Sequence, residues 1–184
     1  ETGTLLVHDE IQSGCGRTGH FFSFEELGVT PDVVTLAKSL SGLGLPFAVT
    51  LFRPDLDIWS PGQHNGTFRG NCHAFVAATA ALEHFWRTEA FASEVRRKGA
   101  ILAARLDDML ARHAPSATRS KGRGMMRGIE LESGAIAARV IEAAFARGLI
   151  IEGSGPNDEV LKVMAPLAID EAELNAGLDI LDSA

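Results

Sequence analysis

The run Pro31-Asp32-Val33-Val34-Thr35-Leu36-Ala37 constrains the fold more than any other stretch, being nearly unbroken in its apolar character and closed by Lys38. A half-wet strand alternates apolar with polar residues, whereas a continuous apolar run suits a strand covered on both faces of an α/β sheet. Thr4-Leu5-Leu6-Val7-His8 has the same texture and gives way to Asp9-Glu10. Pro46 to Phe52 predicts a third strand, with its direction left open. After Lys38 come Ser39-Leu40-Ser41-Gly42-Leu43-Gly44, the small residues of a loop. Burial disfavours an ammonium ion, so an amine at a buried strand end becomes nucleophilic nearer neutral pH. A lysine that snorkels from a strand end would leave the same sequence.

Helical spacing follows. Phe75, Ala78, Leu82, Phe85 and Trp86 predict a helix over 75–88, and Val95, Leu102, Leu106, Met109 and Leu110 predict a second over 93–113, stopped by Pro115. The texture then changes. Strands are expected over 124–131, 149–152 and 160–164, with a helix over 135–147. A last helix starts at Asp170 as N-cap, with Glu173 completing a capping box and Ile169 against Leu174 as a hydrophobic staple. The expectation is an α/β portion over 1–92 and a small α+β domain over 93–184, with the long second helix as the joint.

Composition narrows the function. With 184 residues, 46% of them hydrophobic, the chain can bury a real core. A formal charge of −7 argues against a nucleic-acid surface, which needs a basic stripe. No apolar run reaches membrane-spanning length and the N-terminus does not resemble a signal peptide. Cys15 and Cys72 show neither metal-site nor disulfide-framework spacing, so reduced thiols in the cytoplasm are expected, and no metal.

Three elements carry chemistry. Asp9 stands where a strand gives way to a loop, at the carboxyl edge where α/β proteins place ligands. Lys38 ends the next strand. Gly66-Thr67-Phe68-Arg69-Gly70-Asn71 runs into a helix expected to start near His73, and free amides there favour a phosphate. An aldehyde cofactor with a phosphate tail and a ring nitrogen, pyridoxal phosphate, uses all three. Each element also has a plainer reading. Asp9 taken alone reads as a turn residue or an ordinary helix cap, Thr67 as a capping residue, and the glycine-rich loop over 13–19 as a tight turn.

The stretch Leu5-Leu6-Val7-His8-Asp9-Glu10-Ile11-Gln12-Ser13-Gly14-Cys15-Gly16-Arg17-Thr18-Gly19 resembles the signature of the class III, pyridoxal-phosphate-dependent aminotransferases. Leu36-Ala37-Lys38-Ser39-Leu40 resembles the segment holding their Schiff-base lysine, and Gly66-Thr67-Phe68 the one holding their phosphate-binding threonine. The resemblance implies the C-terminal part of the aspartate-aminotransferase-like (fold type I) large domain, plus the small α+β C-terminal domain. It implies that Lys38 holds the cofactor and shuttles the substrate proton, that Asp9 pairs with the ring nitrogen, and that Gln12 bonds the ring oxygen. Gln12 as an exposed polar residue at a helix start would look the same. Thr67 would reach the phosphate across the interface of a homodimer or higher homo-oligomer.

Within the family, His64 to Asn71, Ala80 to Trp86, Gly148 to Glu152 and Gly177 to Leu181 resemble members that exchange the terminal amine of 2,4-diaminobutyrate with 2-oxoglutarate on the way to ectoine. Many relatives grip the oxo-acid carboxylate with an arginine where this chain offers Lys162, and the two cations are not equivalent there. Arg69 is the substitute, or else an interface ion pair. Another ω-amino-acid transaminase, an aminomutase, or an inert dimerisation and folding unit are the alternatives. The chain opens on Glu1-Thr2-Gly3 without Met, which is read as a cut through a larger enzyme whose other half completes the phosphate cup. Residues 1–184 alone are therefore expected to be inactive.

Overall fold

The computed structural model describes residues 2–67 and 69–184. The chain forms two compact units, Glu1–Ala92 and Ser93–Ala184.

In the first unit, β1 (Val7–Asp9) pairs parallel with β2 (Val33–Leu36), and β3 (Val49–Phe52) pairs antiparallel with β2 on its other side. The register sets Asp9 opposite Thr35 and His8 opposite Val34. Val34 and Leu36 point into a core with Cys15 and Leu40, against which Phe21, Phe22, Phe24, Phe47 and Val49 pack. Residues alternate across a strand, so Asp9 and Thr35 lie on the opposite face. That face departs from the expectation of a sheet covered on both sides. Leu5, Leu6 and Val7 are exposed among the described residues. β1 is also shorter and later than 4–8, because Leu6 turns its backbone to Asp32 before the ladder begins. Its carbonyl accepts from Asp32 N (2.8 Å) and Val33 N (3.2 Å).

A 3₁₀ turn, Lys38–Ser41, follows β2 and packs against α1 (Cys72–Phe85). Gly42 allows the approach: it has φ +67°, and a Cβ there would stand 2.5 Å from the Cβ of Ala81. Asn71 caps α1 by accepting from His73 N (3.2 Å) and Ala74 N (3.3 Å).

α2 (Ala90–Arg112) carries Val95, Leu102, Leu106 and Met109 as a buried stripe of the second unit. Its sheet, in the order β4-β5-β7-β6, is antiparallel throughout: β4 (Ala117–Arg123), β5 (Met126–Leu131), β6 (Glu152–Ser154) and β7 (Val160–Val163). β4 has no counterpart in the sequence reading. It is an edge strand, so it needs no apolar alternation, and its Arg119 and Lys121 pair with Glu130 of β5 instead. β6 begins at Glu152 rather than 149, leaving Ile150 exposed. α3 (Gly134–Ala146) and α4 (Glu171–Ser183) complete the unit, and Asp170 Oδ1 accepts from Glu173 N (2.7 Å) as the expected cap of α4. Lys98 on α2 is buried, its Nζ donating to the carbonyls of Leu167 (2.6 Å) and Ile169 (2.8 Å). No helix among the described residues is long and apolar enough to cross a membrane.

Asp32 ties the amino ends of β1 and β2 to the carboxyl end of β3. Its Oδ2 accepts from Leu6 N (2.7 Å), its Oδ1 stands 2.8 Å from Arg53 Nη1, and its carbonyl accepts from Arg53 N (3.1 Å). Asp32→Ala is expected to lower stability by about 2 kcal/mol, the scale of a hydrogen bond to a charged group. Asp32→Asn, which keeps an acceptor for Leu6 N, should cost less, because the half-exposed Arg53 pair contributes little. Urea denaturation checks both, and equal losses would assign the effect to the ion pair instead.

Candidate active site

Parallel pairing brings the carboxyl ends of β1 and β2 side by side, so Asp9 and the segment opening at Lys38 emerge at one edge of one sheet. Asp9 is anchored there by its own surroundings. Its Oδ1 accepts from Ile11 N (2.9 Å) and Thr35 Oγ1 (3.3 Å). Oδ2 has no partner among the described residues. Thr35, the polar residue within the apolar run, therefore sets the rotamer of Asp9, and the sequence reading passed over it.

Lys38 departs from the buried amine expected of a strand end. β2 stops at Leu36, Ala37 is extended, and Lys38 opens the 3₁₀ turn, exposed at φ +51°. A left-handed backbone costs a non-glycine residue about 1 kcal/mol. Its Nζ has no hydrogen bond or ion pair among the described residues.

Gln12, half-buried, sits in the turn after β1 and its side chain is also without a partner among the described residues. Gly14 N donates to Glu10 O (3.0 Å), closing that turn around Gln12. A Cβ on Gly14 would stand 2.7 Å from Glu10 O and 2.9 Å from Leu36 Cδ2, so only glycine fits. Beneath the turn lies Glu10, 1% exposed. The sequence reading missed it. The signal was present: consecutive residues at a strand end face opposite sides, so one acid of Asp9-Glu10 had to turn inward.

The remaining candidates belong to other segments. Thr67 and Arg69 are exposed in the segment leading to α1, and Phe68 lies outside the described residues. The helix-start amides expected to cradle a phosphate are not free, since those of His73 and Ala74 already donate to Asn71. Lys162 belongs to β7 of the second unit, where its Nζ stands 2.6 Å from Glu152 Oε2 on the neighbouring strand. Its charge is thus already matched. Among the described residues no group of His, Cys, Asp and Glu could hold a metal ion.

The model of the Aminotransferase class-III family matches residues 1–184. The chain belongs to the class-III aminotransferases. This family works with pyridoxal phosphate. Among curated relatives, the chain is 50% identical over 182 residues to the diaminobutyrate–2-oxoglutarate transaminase of Halalkalibacterium halodurans, covering 99% of this chain and 42% of that protein. It is 50% identical over 184 residues to the enzyme of the same name from Nocardia farcinica, again covering 42% of it. The chain thus spans less than half the length of these relatives. Among solved structures, a Bacillus anthracis aminotransferase superposes with a TM-score of 0.89 at 28% identity, covering 98% of this chain and 44% of that one. The ornithine aminotransferase of Toxoplasma gondii, described with partial occupancy of PLP at its active site, gives 0.84 at 31%, covering 98% and 42%. The fold is that of the type I pyridoxal-phosphate aminotransferases.

The cofactor fits what the sheet edge supplies. An exposed amine, an exposed carboxylate with one open oxygen and a half-buried primary amide lie along it, and the amine, that oxygen and the amide have no partner among the described residues. The phosphate does not find its cradle at the start of α1.

Cys15, in the loop between Gly14 and Gly16, shows how closely that loop is packed. Burial and the neighbouring charge of Glu10 push its thiol up to about 11. The folded state therefore holds a proton that the unfolded state loses near pH 9. The stability this contributes is complete below that pH and is lost as pH rises towards about 11. Denaturation at stepped pH should show the decline, and Cys15→Ala should flatten it. Iodoacetamide at neutral pH should label the exposed Cys72 and spare Cys15.

Proposed function

We propose that the protein moves the terminal amino group of L-2,4-diaminobutyrate to 2-oxoglutarate, reversibly, forming aspartate 4-semialdehyde and glutamate in the course of ectoine synthesis. The observation that carries this reading is identity of about 50% to diaminobutyrate–2-oxoglutarate transaminases along essentially the whole chain. Bound pyridoxal phosphate supplies an aldehyde that captures amines and a cationic ring that accepts an electron pair.

The residues of the chain then divide the work. The open oxygen of Asp9 would hold a proton on the ring nitrogen, with the bonds from Thr35 Oγ1 and Ile11 N to its other oxygen keeping that carboxylate in place. Lys38 would hold the cofactor and, with its amine free, would carry the proton to and from the substrate carbon. Gln12 would donate to the oxygen on the ring. Thr67 would bind phosphate across the interface of a homodimer, and Arg69 would meet a substrate carboxylate. Lys162 does so only if Glu152 gives it up. The work is assigned to the cytoplasm, and the large and small domains to 1–92 and 93–184.

Ornithine is the second donor to weigh, because ornithine aminotransferases share the fold at 26–31% identity. Steady-state kinetics on the protein at its natural length separate the two. Diaminobutyrate is expected to give a kcat/KM at least about tenfold above ornithine, the scale of one methylene in a fitted pocket. A preference for ornithine would contradict the proposal.

A further inference from the structure

Asp9 and Glu10 are adjacent acids with opposite fates. Asp9 is exposed at the sheet edge, while Glu10 is among the most buried side chains of the first unit. Burying a carboxylate is costly unless each oxygen is satisfied. Here both are. Oε2 accepts from Ser13 Oγ (2.7 Å), and Oε1 accepts from Ser23 Oγ (2.8 Å) and Phe24 N (3.2 Å). His8 Nδ1 stands 3.1 Å from Oε1 without hydrogen-bond geometry.

These donors come from both ends of the loop that follows β1. The backbone of Glu10 joins the same structure: its N–H donates to Thr35 O (2.9 Å), extending the ladder, and its carbonyl accepts from Gly14 N. Ser13 also approaches the carbonyl of Asp9 (3.4 Å). Asp9, Gln12 and the buried carboxylate therefore form one mechanical piece, with the open side chains above and Glu10 beneath.

We propose that Glu10 is a positioning residue of the cofactor site, its buried carboxylate fixing the turn that presents Asp9 and Gln12 to the pyridine ring. The proposal rests on the pyridoxal-phosphate reading of that edge. It assigns Glu10 no contact with cofactor or substrate. Its effect passes through the turn.

The test uses the protein at its natural length and reads cofactor binding rather than turnover. Glu10→Gln keeps the shape but turns one acceptor into a donor facing Ser13 or Ser23. The dissociation constant for pyridoxal phosphate is expected to rise about tenfold, the scale of one charge-assisted hydrogen bond. The visible absorption band of the bound cofactor should shift, as its ring no longer rests squarely on Asp9. Ser13→Ala should move both readouts the same way by less, and it decides the matter if Glu10→Gln does not fold. Leu106→Ala, a core variant of the second unit, should lose stability and change neither. Wild-type affinity and an unshifted band in the Glu10 and Ser13 variants would overturn the proposal. A wild-type protein that binds no pyridoxal phosphate would overturn the underlying reading as well, which is a separate and recognisable result.

Discussion

The parallel pairing of two short strands is the constraint on which the first unit depends. Three residues of β1 could not hold that register by ladder bonds alone, so both ends are reinforced by side chains. At the amino end Asp32 fastens Leu6 and Arg53. At the carboxyl end the ladder runs on through Glu10 N to Thr35 O, and Thr35 bonds Asp9 across the strands. A slip of β1 by one residue would turn Asp9 into the core and His8 outward. The pairing therefore fixes which functional groups the sheet edge shows.

Among the described residues, each unit also buries one charged side chain, which bonds loop backbone or hydroxyl groups rather than an opposite charge. Glu10 gathers Ser13, Ser23 and Phe24 N in the first unit, and Lys98 gathers the carbonyls of Leu167 and Ile169 in the second. Such groups cost desolvation and return geometry, since their partners can be satisfied in only one arrangement of the loop. That is a sensible use of charge where irregular chain must hold a fixed shape.

Much of this was legible in the sequence, and the exceptions are physical. The helices were readable because their apolar stripes are long, and Asp170 declared the start of α4 through its cap. β4 was not, because an edge strand tied to Glu130 by Arg119 and Lys121 has no hydrophobic period to find. The motif around Asp9, Gln12 and Lys38 led to the class-III aminotransferases. What it could not show is that Asn71 would occupy the amides of α1, that Glu152 would pair with Lys162, or that Lys38 would be exposed. Those depend on neighbours that sequence spacing does not specify. Glu10 was hidden by its neighbour, since an acid beside a candidate site acid reads as more of the same until the strand's alternation is applied.

The central claim is that Asp9 and Lys38 serve one ring from one sheet edge. A crystal structure of the protein at its natural length, grown with pyridoxal phosphate, tests it most directly. The account predicts Lys38 Nζ bonded to the aldehyde carbon and Asp9 Oδ2 within about 3 Å of the ring nitrogen, as a charge-assisted hydrogen bond requires. A cofactor bound to another lysine, or a ring nitrogen facing away from Asp9, would contradict it.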